Sequence, residues 1–65
     1  MEMEVGRIEK WLTDAGYGFI SAERGRDVFL HLNAVVSGTP YVGATVRFIR
    51  IDCPKGPFAA KAEVE

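Results

Sequence analysis

Four clusters of turn-forming residues divide this chain into short runs with strand character. They are Thr13-Asp14-Ala15-Gly16, Glu23-Arg24-Gly25-Arg26, Ser37-Gly38-Thr39-Pro40 and Cys53-Pro54-Lys55-Gly56-Pro57. Glycine supplies backbone conformations that other residues reach only at a cost, proline fixes φ, and an Asp side chain bonds the backbone of its own turn. The runs between them are expected to be five strands: Val5–Thr13, Tyr17–Ala22, Asp27–His31, Ala44–Asp52 and Phe58–Val64. No window in the first half carries apolar residues at the i, i+3, i+4 spacing of an amphipathic helix. Leu32–Val36 leaves room for one short helical turn, with Asn33 as its cap. Gly6 marks a bulge or a tight bend in the first strand. The phase reversal at Ile49-Arg50-Ile51 marks another bulge in the fourth. The first three strands read as an antiparallel meander. Five strands with no real helix are expected to close into a small barrel, which removes exposed edges.

Within this plan the second and third strands have an unusual alternation. Successive side chains of a strand point to opposite faces. In Gly16–Ile20 this puts Tyr17 and Phe19 on one face, and in Asp27–His31 it puts Phe29 and His31 on one face. Gly18, Ile20, Val28 and Leu30 point the other way and can fill a core. Four rings are left on the side where a half-buried strand ordinarily carries charge. They form either a second hydrophobic cluster, a dimer interface or a platform for flat ligands.

Length and composition limit what such a surface can do. A chain of 65 residues is one domain or part of one, and buries only about 60% of the surface it exposes unfolded. A shallow binding face fits that size better than a deep cleft. Cys53 is the only cysteine, so no internal disulfide and no zinc site built from Cys pairs can form. With one histidine and no paired carboxylates in an apolar setting, neither metal chemistry nor catalysis is expected, and no cofactor is implied. The acidic start MEMEV lacks the regions of a signal peptide, and no apolar run approaches the roughly 20 residues of a membrane span. A soluble cytoplasmic protein, or a soluble piece of a longer one, is the expectation. Net charge is −1, but acidic residues crowd the two ends. Residues 5–62 hold all eight basic residues against five acidic ones, or +3. A nucleic-acid partner would therefore be held more by base stacking than by phosphate charge.

The order Gly-x-Ile-x-x-Trp, then GYGFI, then DVFLH, then a glycine before a VRF strand, then GPFAA resembles the cold-shock domain. The likeness runs from about Val5 to Val64 and rests on two linked motifs at the expected separation. It implies an all-β, five-stranded antiparallel OB-fold barrel, with residues 1–65 as a single cold-shock domain. The first motif then lies on the second strand, the second on the third, and both face single-stranded RNA or DNA. RRM domains carry similar motifs, but that fold needs two helices, a longer chain and the opposite motif order.

The resemblance implies nucleic-acid-binding residues at Lys10, Trp11, Tyr17, Phe19, Phe29, His31 and Phe58. Several positions depart from the family pattern. Ala15 stands where a lysine usually precedes the glycine. Ungapped alignment from Gly6 puts Lys10, Trp11 and Leu12 on the family's Trp-Phe-Asn. Leu32 replaces the aromatic after the histidine, and the following loop is short, with Tyr41 either replacing its ring or entering the core. Phe58 stands where a polar residue is common; core packing and ligand contact are both open for it. Trp11 divides between core and platform. Arg7, Arg24, Arg26 and Lys55, with Lys10, either line the strand's path or are solvated surface charges, and Gly16 and Gly18 either let the backbone turn and bases come close or serve a bend of the barrel. The function implied is stacking-based binding of single strands with weak sequence preference, as in an RNA chaperone, at lower affinity than a member with the full surface. A protein-interaction module, or an N-terminal accessory nucleic-acid-binding domain of a longer protein, is the alternative. A monomer is expected, with a strand-exchanged dimer the other option.

Overall fold

The computed structural model of the chain describes residues 2–23, 25 and 27–65. In chain order the elements are β1 (Glu4–Leu12), β2 (Tyr17–Ala22), β3 (Val28–His31), one turn of 3-10 helix (Leu32–Ala34), β4 (Val35–Ser37), β5 (Thr45–Ile51) and β6 (Phe58–Val64). The strands hydrogen-bond in the order β3-β2-β1-β5-β6-β4, and a further pairing of β3 with β6 closes five of them into a barrel. The all-β, five-stranded barrel expected from the turn spacing is the fold. The β1–β2, β2–β3, β1–β5 and β5–β6 pairings are antiparallel. The closure of β3 on β6 is parallel, as is the pairing of the three-residue β4 with β6, a strand not anticipated from the sequence.

The inward set of each strand forms one core: Ile8, Ile20, Val28, Leu30, Ala44, Val46, Phe48, Ala59, Ala62 and Val64. Phe48 is its largest fully buried side chain; burying a ring of this kind contributes about 2–3 kcal/mol. Because Ile20, Val28 and Leu30 are taken up here, the β2–β3 register sets Tyr17 against His31 and Phe19 against Phe29 on the outer face.

Two bulges re-aim side chains, and neither lies where the sequence suggested. In β1, Ile8 pairs with Ile20 and Lys10 with Phe19, so Glu9 is the extra residue. Gly6 is in regular pairing with Ala22 and Val46; a Cβ there would lie 2.5 Å from Ile20 Cγ2, so close strand packing explains this glycine. On the β5–β6 ladder, Arg47 pairs with Glu63 and Ile49 with Ala60. Lys61 and Ala62 therefore oppose Phe48 alone, and β6 carries the bulge instead of the Ile49–Ile51 stretch of β5. Lys61 takes a left-handed conformation, φ 50°, a geometry in which bulges usually place glycine. Left-handed backbone costs a residue with a Cβ about 1–2 kcal/mol.

The short helical turn forms over Leu32–Ala34, but its cap is His31 rather than Asn33. The cap lies two residues earlier than expected: the His31 ring reaches forward and its Nδ1 accepts the Asn33 backbone N–H at 3.0 Å. At the N-terminal end, Glu4 takes two hydrogen bonds from Arg50, from Nε at 2.9 Å and from Nη2 at 3.1 Å, tying β1 to β5. These bonds, with the charges of Glu4 and Asp52 behind them and partial burial opposing, hold the Arg50 guanidinium above its ordinary pKa.

Candidate nucleic-acid interface

Phe29 is the hub of the outer face. Its ring centroid lies 5.5 Å from Tyr17, 5.8 Å from Phe19 and 6.3 Å from His31. Tyr17 and Phe19 meet edge-on at 6.4 Å. These spacings fall within the range in which aromatic pairs hold one another. The four rings expected to share a face do so, and the strand register positions them without help from loops. Tyr17, Phe19 and Phe29 are half-buried and His31 is exposed, so each ring keeps open surface. With Nδ1 accepting the Asn33 N–H, the neutral His31 ring carries its proton on Nε2 and can donate from it.

Phe58 extends this face across the barrel closure. It is the parallel partner of Phe29 and is 37% exposed, so it lies outside the core. An open groove of about 900 Å³ follows the seam between β3 and β6, with Phe19, Phe29, His31, Phe58, Lys55 and Lys61 among its lining. Lys10 is exposed beside Phe19, its pairing partner. Arg7 is exposed at the level of Ser21. Arg24 and Arg26 lie outside the described residues.

Trp11 does not join the rings. The Glu9 bulge exchanges the faces of the residues after it: strict alternation from Ile8 would turn Trp11 outward, whereas the actual register sets it opposite Gly18, packed against the core. Lys10 takes the outward place instead. Gly18 is buried, and a Cβ on it would run into the Lys10 carbonyl oxygen and come within 2.8 Å of the Trp11 ring. Its lack of a side chain thus serves strand-to-strand contact and not the approach of a base. Gly16 is a turn residue as expected, with φ 76°. Tyr41 is 56% exposed, in the loop before β5, so it is neither core nor part of the groove lining.

Asn33 and Lys61 also line the groove and were not foreseen. Alternation from Phe58 would send Lys61 inward; only the bulge returns it to the surface. Among the described residues, no group of three or more His, Cys, Asp or Glu side chains comes together to hold a metal ion.

Comparison with known proteins gives consistent results. The family described as the 'Cold-shock' DNA-binding domain matches residues 4–64. Cold shock-like protein CspD of Bacillus cereus is 36% identical over 61 residues, covering 89% of this chain and 92% of that protein. Cold shock protein 1 of Lactiplantibacillus plantarum is 38% identical over 61 residues, with the same coverage, 89% and 92%. The major cold shock protein CspA of Pseudomonas aeruginosa is 37% identical over 60 residues, covering 85% and 86%. Among solved structures, Drosophila Unr CSD456 superposes with a TM-score of 0.80 at 24% identity, over 98% of this chain but 27% of that one; it supports the fold.

Proposed function

The chain belongs to the cold-shock domain family, and from that premise we propose that it binds single-stranded RNA or DNA by stacking bases on Tyr17, Phe19, Phe29 and His31, with Phe58 extending the row. The observation that carries this reading is the ring cluster centred on Phe29, held on the outer face by strand register while the aliphatic residues of the same strands fill the core. Each stacked base contributes about 1–3 kcal/mol and any base can stack, so sequence preference is weak. Lys10, paired with Phe19, stands beside the rings, where it screens phosphates. A strand held on this face cannot re-pair. The protein therefore acts as an RNA chaperone that melts weak secondary structure without ATP, as a monomeric cytoplasmic domain spanning residues 1–65. Trp11 supports the barrel under the platform in this reading.

Fluorescence anisotropy of labelled oligo-dT and oligo-U tests it. Wild-type protein is expected to bind at low salt. Phe29→Ala is expected to lose about tenfold to hundredfold in affinity, the equivalent of one to two stacked bases, with its circular dichroism unchanged. No binding by the wild-type protein, or wild-type affinity retained by both Phe29→Ala and Phe19→Ala, sinks the proposal.

A further inference from the structure

We infer that the β3–β6 groove is a site for one additional nucleotide of the bound strand, with its base against Phe58 and its phosphate at the Lys61 ammonium. The inference rests on the stacking function proposed above and adds a direction to it. The groove is continuous with the ring platform, since Phe19, Phe29 and His31 belong to both. Its parallel register gives it two chemically different ends. Counting from the parallel Phe29–Phe58 pair, Asp27 falls toward the Lys55 and Gly56 end of the groove lining and His31 toward the Ala60 and Lys61 end. Asp27 is the one acidic residue in the groove lining. Its carboxylate puts a negative charge at the end that Lys55 also lines, which disfavours a phosphate there. Lys61 is exposed and, among the described residues, makes no ion pair.

Lys61 also holds its place against its backbone preference. The bulge puts it at φ 50°, where glycine would be the unstrained choice. Outliers of this kind persist where the surroundings over-determine them, and they cluster at ligand sites. The same bulge is what turns the Lys61 side chain out of the barrel, on the surface that lines the groove. A cation kept at a glycine position, facing an aromatic floor continuous with a base platform, matches one nucleotide: a flat π-face with an anion next to it.

Three variants test this with labelled oligo-dT over a salt series. Lys61→Gly is expected to melt at or above the wild-type temperature, because its backbone strain is relieved, yet to bind about fivefold more weakly, the loss of one ordinary hydrogen bond. Its slope of log K against log salt should fall in magnitude by about 0.7, one phosphate contact on a single strand. Lys61→Gln should show the same weakened binding and slope without depending on the glycine. Phe58→Ala should lose affinity with the slope unchanged. Wild-type affinity and slope in both Lys61 variants would overturn the assignment, while a loss in Phe29→Ala kept alongside it would leave the platform standing. A Phe29→Ala protein that binds normally removes the platform and this site with it.

Discussion

Gly18 and Gly16 sit two residues apart in the same motif and are glycine for different reasons. At Gly18 the obstacle is space: the Lys10 carbonyl and the Trp11 ring already occupy the volume a Cβ would take. At Gly16 the space is open, with Leu32 Cβ 3.8 Å away, and the constraint is a φ of 76°. Overpacking a closed interior costs about 1–3 kcal/mol and more where backbone must shift, while the left-handed conformation costs alanine about 1–2 kcal/mol. Gly18→Ala is therefore expected to lose at least about 3 kcal/mol in urea unfolding, and Gly16→Ala about 1–2 kcal/mol. Equal losses would show that the β1–β2 approach is looser than described. The pattern GYGFI displays both glycines plainly, but not which constraint each answers. That depends on Lys10, which reaches Gly18 only through a strand pairing the local sequence does not contain.

At the scale of elements, β2 and β3 were legible because each has a clean period of two and their aliphatic residues can face only inward. The face assignments of Tyr17, Phe19, Phe29 and His31 follow from that alone. The bulges could not be placed from sequence: alternation breaks at Lys10-Trp11-Leu12 without naming Glu9 as the inserted residue, and Lys61 leaves no local mark. Yet each bulge decides which side chain reaches the surface: one puts Lys10 in place of Trp11 on the face of the rings, the other brings Lys61 to the groove lining. The missed β4 is three residues long and exists only because β6 offers it an edge. Long-range ties are equally silent in sequence, and the Glu4–Arg50 pair joins residues from opposite halves of the chain. Its side chains are 29% and 17% exposed, sheltered enough for charge-assisted bonds to count at about 1.5–3 kcal/mol. Glu4→Gln, which keeps shape and one acceptor, is expected to lower stability by about 1–2 kcal/mol in thermal or urea unfolding. By contrast, the exposed Arg47–Glu63 pair at 3.9 Å belongs to a class that contributes little. A neutral Glu4→Gln would place the first pair in that class too.

The whole molecule measures only 26 × 21 × 19 Å, so one face of rings and one groove take up much of a side of it. No helix among the described residues is long and apolar enough to cross a membrane. The barrel is not equally secure all the way round. β1 and β2 share six paired positions and β2 and β3 share four, but among the described residues β3 and β6 share one, Phe29 with Phe58, with the Phe29 N–H donating to Pro57 O at 3.1 Å. Local openings of this kind occur at lower free energy than global unfolding. The proposed strand would lie across that join, touching Phe29 on one side and Phe58 on the other. Anything that binds only the closed form favours it by mass action, by about 2.7 kcal/mol at a hundredfold excess over Kd. Amide hydrogen exchange at Phe29 is thus expected to slow markedly when oligo-dT saturates the protein, and exchange at Val46, on the far side, to change less. Unchanged exchange at Phe29 in the saturated complex would place the strand elsewhere. A ring fastened at its least secure link by its own cargo works as a latch: occupancy is recorded in how long the barrel stays shut, with its shape left as it was.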